Sequence, residues 1–196
     1  MTRWSGSVFR ATTWDVPLWV NPNRRDGRWN RAGHGCTQYA CLDPEGPYAE
    51  LLRAERLRTE AEAATLKTDL WELRVDEGAV ADYRTFDRAE AAGFPPEALI
   101  DDDHERCRAE AEYLRRHNVR GLLVPSAALP GSIGLVLFGP RVSVEWSATA
   151  GLAAMVPARR LAQGPPPSGL AAKVRHYGEP HWMLDEFRAE QKRLFP

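Results

Sequence analysis

Cysteine is scarce in this chain. Cys36, Cys41 and Cys107 make an odd set of three without a CxxC pair, which argues against a disulfide framework and against structural zinc. Long apolar runs are missing too. The longest uncharged stretch, Gly121 to Pro140, is interrupted by Pro125, Pro130, Gly131 and Gly134, so no membrane span is expected. The opening residues "MTRWSGSVFRATT" lack the apolar core of an export signal. Net charge is nearly absent as well: 26 Lys and Arg against 27 Asp and Glu leave −1. No global field would draw the protein to nucleic acid or to an anionic membrane, and any anion site must be local. A reducing, cytoplasmic setting is expected.

What is present suits an ordinary folded domain: 196 residues, 43% hydrophobic and 27% charged. Alternation predicts strands at Ser7–Thr13, Thr37–Leu42 and "LWELRV" (70–75), and the apolar runs "GLLVPS", "GLVLFG" and "RVSVEW" predict three more. A helix is expected from Pro47, with Leu51, Leu52, Leu57, Ala61 and Ala64 on its apolar stripe and Arg53, Glu55, Arg56 and Arg58 on a solvated face. A short helix is predicted over Tyr83–Ala92. Another should run to about His117, with Asp101, Asp102 and Asp103 at its start. Strands and helices mix without regular βαβ alternation, so the expected class is α+β with a central, mostly antiparallel sheet. "QGPPPSG" (163–169) reads as a linker between a domain over 1–162 and a C-terminal helical appendage over 170–196. In the appendage Met183, Leu184, Phe187 and Leu194 are the apolar positions. That tail offers a contact surface for its own domain, for a partner, or for a second copy in a homodimer.

The stretch "NRRDGRWNRAGHGCTQYACLDPEGPYAELL" (23–52) is the most informative. Arg24, Arg25, Arg28 and Arg31 are planar charged forks suited to phosphate oxygens, and Gly27, Gly33 and Gly35 let a ligand approach the backbone. A solvated loop is the alternative. Tyr39 lies on the strand that follows and Glu50 in the first turn of the next helix, which can bring phenol and carboxylate to one side of a cleft. Glu50 can also simply complement the helix dipole there.

The order Arg10 on a strand, "GRWN" with Arg28, "QYACLD" with Tyr39, "YAELLRAE" with Glu50, and "GLLVPSA" with Ser126 followed by "GLVLF" resembles the RES-domain family. These are bacterial proteins best known as toxins of Xre-RES toxin-antitoxin modules. The steps from Arg28 to Tyr39 and from Tyr39 to Glu50 are both eleven residues. The resemblance runs from about Val8 to Trp146. One departure is visible: the family commonly has two glycines before this arginine, and here the pair is Asp26-Gly27, which bears on the loop's detailed shape.

The resemblance implies an ADP-ribosyltransferase-like fold and an activity on NAD: hydrolysis, phosphorolysis or transfer of ADP-ribose, silenced by an Xre-type antitoxin. It implies a catalytic set of Glu50, Arg28 and Tyr39, and an NAD-binding set of Arg10, Arg28, Tyr39 and Ser126, with no metal. Cleavage of the nicotinamide-ribose bond builds oxocarbenium-like charge that a carboxylate at Glu50 would face. The other expectations are a non-catalytic nucleotide- or partner-binding relative, and an RNA-directed toxin, against which the near-neutral charge weighs. His104 and Cys107 lie one turn apart without a second pair at zinc spacing. "GSIG" (131–134) lacks the phosphate-binding fingerprint, and no GxSxG elbow surrounds Ser126, Ser132 or Ser143.

Overall fold

The alternation near the amino terminus belongs to a longer strand, β1 (Thr2–Thr12), on which Val8, Arg10 and Thr12 are buried. The computed structural model describes residues 1–148, 154–185 and 187–189. After β1 come β2 (Thr37–Cys41), α1 (Gly46–Ala54), α2 (Glu60–Ala63), β3 (Thr68–Asp82), α3 (Phe86–Ala91), a 3-10 turn (Pro96–Leu99) and α4 (Glu105–Arg116). Then follow β4 (Gly121–Pro125), β5 (Ile133–Phe138), β6 (Val142–Glu145), β7 (Met155–Gly164) and a 3-10 turn at Ala171–Lys173.

The sheet order is β1-β2-β5-β4-β3-β7-β6, with a further pairing of β1 to β3. That extra pairing closes β1, β2, β5, β4 and β3 into a small barrel. Strand β3 makes closure and extension compatible because it is 15 residues long. One edge pairs with β1; the other pairs with β7 over Thr68–Leu73 and with β4 over Val80–Asp82. Only β3–β4 and β6–β7 are parallel, so the class is α+β with a mostly antiparallel sheet, as the sequence implied.

Both faces of β4 and β5 are covered, which is why they read as unbroken apolar runs. Leu123, Leu135 and Leu137 join Val8, Ala40, Leu73 and Val75 inside the barrel. Leu122, Val124, Val136 and Phe138 face outward onto Phe86, Phe94, Ala111 and Leu114 of the helical layer. A third cluster, with Tyr48, Leu52, Leu70, Leu129, Leu170 and Val174, packs α1 and the segment after β7 against the barrel.

Several expectations need correction. The helix from Pro47 does not continue to Ala64. Arg56 takes a left-handed φ of 58°, and Thr59 then starts α2 with a reciprocal capping box to Glu62. The apolar stripe fails beyond the break: Ala61 and Ala64 are exposed and Ala63 is buried instead. Arg53 is not solvated but 2% exposed. Helix α4 begins at Glu105, whose amide donates to Asp103 Oδ1 at 3.0 Å, rather than at the aspartates themselves. Strand β7 went unforeseen; its mixed composition shows no alternation, and pairing with β3 on one side and β6 on the other makes it a strand.

Beyond β7, Leu170, Ala171 and Val174 are buried. Residues 184–185 and 187–189 are helical, with Met183, Leu184 and Phe187 packed on the helical layer and the Phe187 ring edge-on to Phe86 at 5.1 Å. Leu194 lies outside the described residues. Among those described, no helix is long and apolar enough to cross a membrane.

Candidate active site

A cavity of about 380 Å³ opens at the rim of the barrel, and Arg10, Arg28, Tyr39, Glu50 and Ser126 all line it. Strands supply its floor, α1 one side, and the turn at Gly27–Trp29 another. His104 and Tyr177 complete the wall.

Glu50 and Ser126 touch. The Ser126 hydroxyl donates to Glu50 Oε1 at 2.6 Å, while its oxygen accepts from the amides of Ala128 and Leu129 at 3.1 and 3.2 Å. The turn after β4 therefore fixes the hydroxyl, and the hydroxyl fixes the carboxylate. A charged acceptor makes this a stronger bond than a neutral pair. Glu50 Oε2 has no protein partner among the described residues.

The Arg28 guanidinium donates to backbone carbonyls at the end of the 3-10 turn: Nη1 to Ala98 and Leu99 at 3.2 and 3.4 Å, and Nη2 to Asp101 at 2.8 Å. These bonds hold the group without neutralising it, because none of these acceptors carries a formal charge. Arg10 is 6% exposed, donates to the Tyr39 carbonyl at 3.0 Å and lies 4.2 Å from the Trp19 ring. Its buried Nε has no partner among the described residues, and burial pushes its pKa down to about 10.

Tyr39 is committed to structure. Its hydroxyl accepts from the Trp29 amide and donates to Asn30 Oδ1, both at 2.9 Å. Burial raises its pKa, so it is no proton acceptor at neutral pH. The phenol thus braces the turn that carries Arg28. Gly27 fits there without displacing a neighbour, since a Cβ would stand 2.5 Å from Asn30 Oδ1 and 2.7 Å from the Tyr39 hydroxyl.

The arginine loop is not a loose solvated segment. Arg31 pairs with Glu112 at 3.0 Å and with Glu105, and Arg108 Nε donates to the Gly27 carbonyl at 3.0 Å, docking the loop on α4. Arg24 and Arg25 are exposed. Asp26, where the family commonly has glycine, accepts the Ala32 amide at 2.8 Å. It closes the loop on itself.

The cavity also contains residues that sequence reasoning missed. Arg53, one helical turn after Glu50, donates to the Ala127 carbonyl and to Asp102 Oδ1 at 2.6 Å, with Tyr177 over its guanidinium at 4.2 Å. Asp102 also binds Arg175 at 3.0 Å and accepts the Gly178 amide at 2.8 Å. His104 Nε2 is buried without a partner among the described residues, and burial together with the charges of Arg28 and Arg53 pushes its pKa down to about 4. It is a neutral imidazole among cations. The glutamate-to-arginine spacing of three in "AELLRA" was a usable signal for Arg53; Tyr177, beyond the proline-rich stretch, had none. Among the described residues no three His, Cys, Asp or Glu side chains converge to hold a metal ion.

Comparison with known proteins gives a family and a fold. A family model described as "RES domain" matches residues 4–154. No curated protein matches the chain. Among solved structures, a chain in the crystal structure of the M. tuberculosis MbcT-MbcA toxin-antitoxin complex is similar, with a TM-score of 0.67 at 24% identity. The match covers 89% of this chain and 91% of that one.

Proposed function

The chain belongs to the RES-domain family, and from that premise we propose that it cleaves the nicotinamide-ribose bond of NAD. Water, phosphate or a protein side chain accepts the ADP-ribose. The setting we propose is the cytoplasm, with the protein serving as the toxin of a type II module and an Xre-type antitoxin as its partner. The fold it shares with a chain of a toxin-antitoxin complex supports that setting. The proposed catalytic groups all fall within residues 1–162.

The observation that carries the reading is the convergence of Arg10, Arg28, Tyr39, Glu50 and Ser126 on one cavity, with Glu50 held by Ser126 at 2.6 Å. As the nicotinamide leaves, the ring becomes neutral and positive charge develops on the ribose. A carboxylate fixed beforehand stabilises that charge more than it stabilises bound NAD, which is what lowers a barrier. Glu50 performs this role, with Oε2 free for a ribose hydroxyl. Arg28 attracts the pyrophosphate by a charge that its carbonyl acceptors orient but do not cancel. Arg10 adds a second buried charge at the floor. The Tyr39 ring lines the cavity while its hydroxyl braces the Arg28 turn.

Incubating the purified protein with NAD and following free nicotinamide tests the reading. Release by the wild type, reduced on the order of 10² to 10³-fold in Glu50→Gln, supports it. Equal release by a folded Glu50→Gln protein overturns the role of Glu50, and NAD binding without release favours the non-catalytic alternative. Added phosphate, and a search for a labelled protein band, then separate hydrolysis, phosphorolysis and transfer.

A further inference from the structure

The segment after β7 lies beyond the matched family region, yet it supplies part of the cavity wall. Tyr177 does not reach the cavity by chance of a trailing chain. The residues on either side of it are tied to one carboxylate: Arg175 Nη1 donates to Asp102 Oδ1 at 3.0 Å and the Gly178 amide donates to Asp102 Oδ2 at 2.8 Å. Arg175 also donates from Nε to the Glu179 carbonyl at 2.8 Å, and its own amide donates to the Ala128 carbonyl at 2.9 Å. Glu179 closes the turn by accepting the His176 amide at 2.8 Å and pairing with Arg58 at 2.8 Å. Gly178 takes a φ of 84°, a conformation that costs glycine little and would strain other residues. This turn presents the exposed Tyr177 side chain from a pinned frame.

The chemistry of that presentation is specific. The Arg53 guanidinium covers one face of the Tyr177 ring at 4.2 Å. Tyr177 is still 42% exposed while lining the cavity, so Arg53 does not close it off. His104 stands 6.2 Å away, tilted by 49°, and its imidazole is neutral. An aromatic face backed by a cation and open to a cavity suits a planar heteroaromatic ring, which stacks without a fixed hydrogen-bond pattern.

We propose that Tyr177 is a substrate-binding residue, stacking on a heteroaromatic base of the dinucleotide, and that the Asp102 clamp on Arg175 and Gly178 holds it there. The proposal rests on the NAD reading and names a residue and a chain segment that reading does not use. Removing the ring takes away an interaction made equally in the bound and reacting states, so KM rises while kcat is spared. Tyr177→Ala and Tyr177→Leu are expected to raise KM for NAD about tenfold, and Tyr177→Phe, which keeps the ring, to recover most of the affinity. Because the ring is partly exposed, the variants should keep the wild-type unfolding midpoint.

Direct binding then identifies the base. ADP-ribose carries adenine without nicotinamide, and nicotinamide mononucleotide the reverse. Weaker binding of the first alone by Tyr177→Ala puts adenine on Tyr177; weaker binding of the second alone puts nicotinamide there. Loss for neither probe, with KM for NAD unchanged, overturns the proposal. The two readings fail separately. A wild type that binds NAD without cleaving it, and binds it about tenfold more weakly as Tyr177→Ala, removes the reaction and keeps the wall. A wild type that cleaves NAD with a KM that Tyr177→Ala leaves unchanged removes the wall and keeps the reaction.

Discussion

The two ends of the cavity are built differently. At one end Glu50 meets Ser126, and the whole arrangement is held by the barrel rim: a helix turn, a strand end, and two backbone amides on the serine oxygen. At the other end Arg53 meets Tyr177, and Asp102, from the loop before α4, ties Arg53 to the segment after the last strand that carries Tyr177. The first end joins two elements of the barrel rim through a neutral hydroxyl. The second is a cluster of buried charge that stands only while a distant part of the chain stays docked. Placing the reacting group on the rigid element and the binding wall on an added segment lets one vary without disturbing the other.

Four perturbations separate the ends, and the first has the largest effect. Glu50→Gln should cost roughly 3 to 4 kcal/mol in barrier with little change in the unfolding midpoint, read as nicotinamide release beside a thermal melt. If the melt falls along with the rate, the carboxylate belongs to the scaffold and the contrast breaks down. Asp102→Ala acts oppositely. It strips Arg53 and Arg175, whose side chains are 3% and 8% exposed, of their carboxylate, and should cost about 3 kcal/mol in urea unfolding. A variant as stable as wild type would show that the clamp adds nothing.

Third is pH. His181 is 4% exposed, and burial with the charges of Arg175, Arg28 and Arg53 pushes its pKa down to about 3. His104 is lowered to about 4 and His176 is lowered as well. A base with a depressed folded pKa binds its proton first in the unfolded chain, so stability falls as pH drops below the unfolded value near 6.5. From pH 6.5 to 5, His181 alone should remove about 2 kcal/mol. Urea midpoints at the two pH values check this, and His181→Phe should shrink the difference, leaving the share of His104 and His176; an undiminished difference in that variant would sink the assignment. The smallest effect is expected of Gly27→Ala, where the new methyl group must displace Asn30 or the Tyr39 hydroxyl. Overpacking of this kind costs about 1 kcal/mol or more. Activity should drop further than stability, since the turn carries Arg28, and a pair of KM and melting measurements decides it.

How far the sequence could be read varied with the range of the forces involved. The strands at Thr37, Gly121 and Ile133 were legible because their apolar pattern reflects how many faces are covered. The long helix after Pro47 was misread because periodicity is blind to a single left-handed residue at Arg56 and to the capping box that restarts the chain at Thr59. Asp26 looked out of place beside a phosphate site, and the fold shows it bound to the Ala32 amide. Arg53 looked solvated because an arginine on a charged helix face usually is. Its burial depends on Asp102 and Ala127, 49 and 74 positions away.

The order and spacing of Arg10, Arg28, Tyr39, Glu50 and Ser126 were set by the sequence itself, as were the α+β class and the near-zero net charge, because composition and local pattern carry that information. Tertiary structure alone decided that β3 is shared between β1, β4 and β7 so that a barrel can close. It also decided that the Tyr39 hydroxyl braces a turn and that a tyrosine past the proline-rich stretch faces the same cavity as Glu50. Those outcomes depend on which distant groups satisfy one another's buried charge and hydrogen bonds, a condition that no window of neighbouring residues contains.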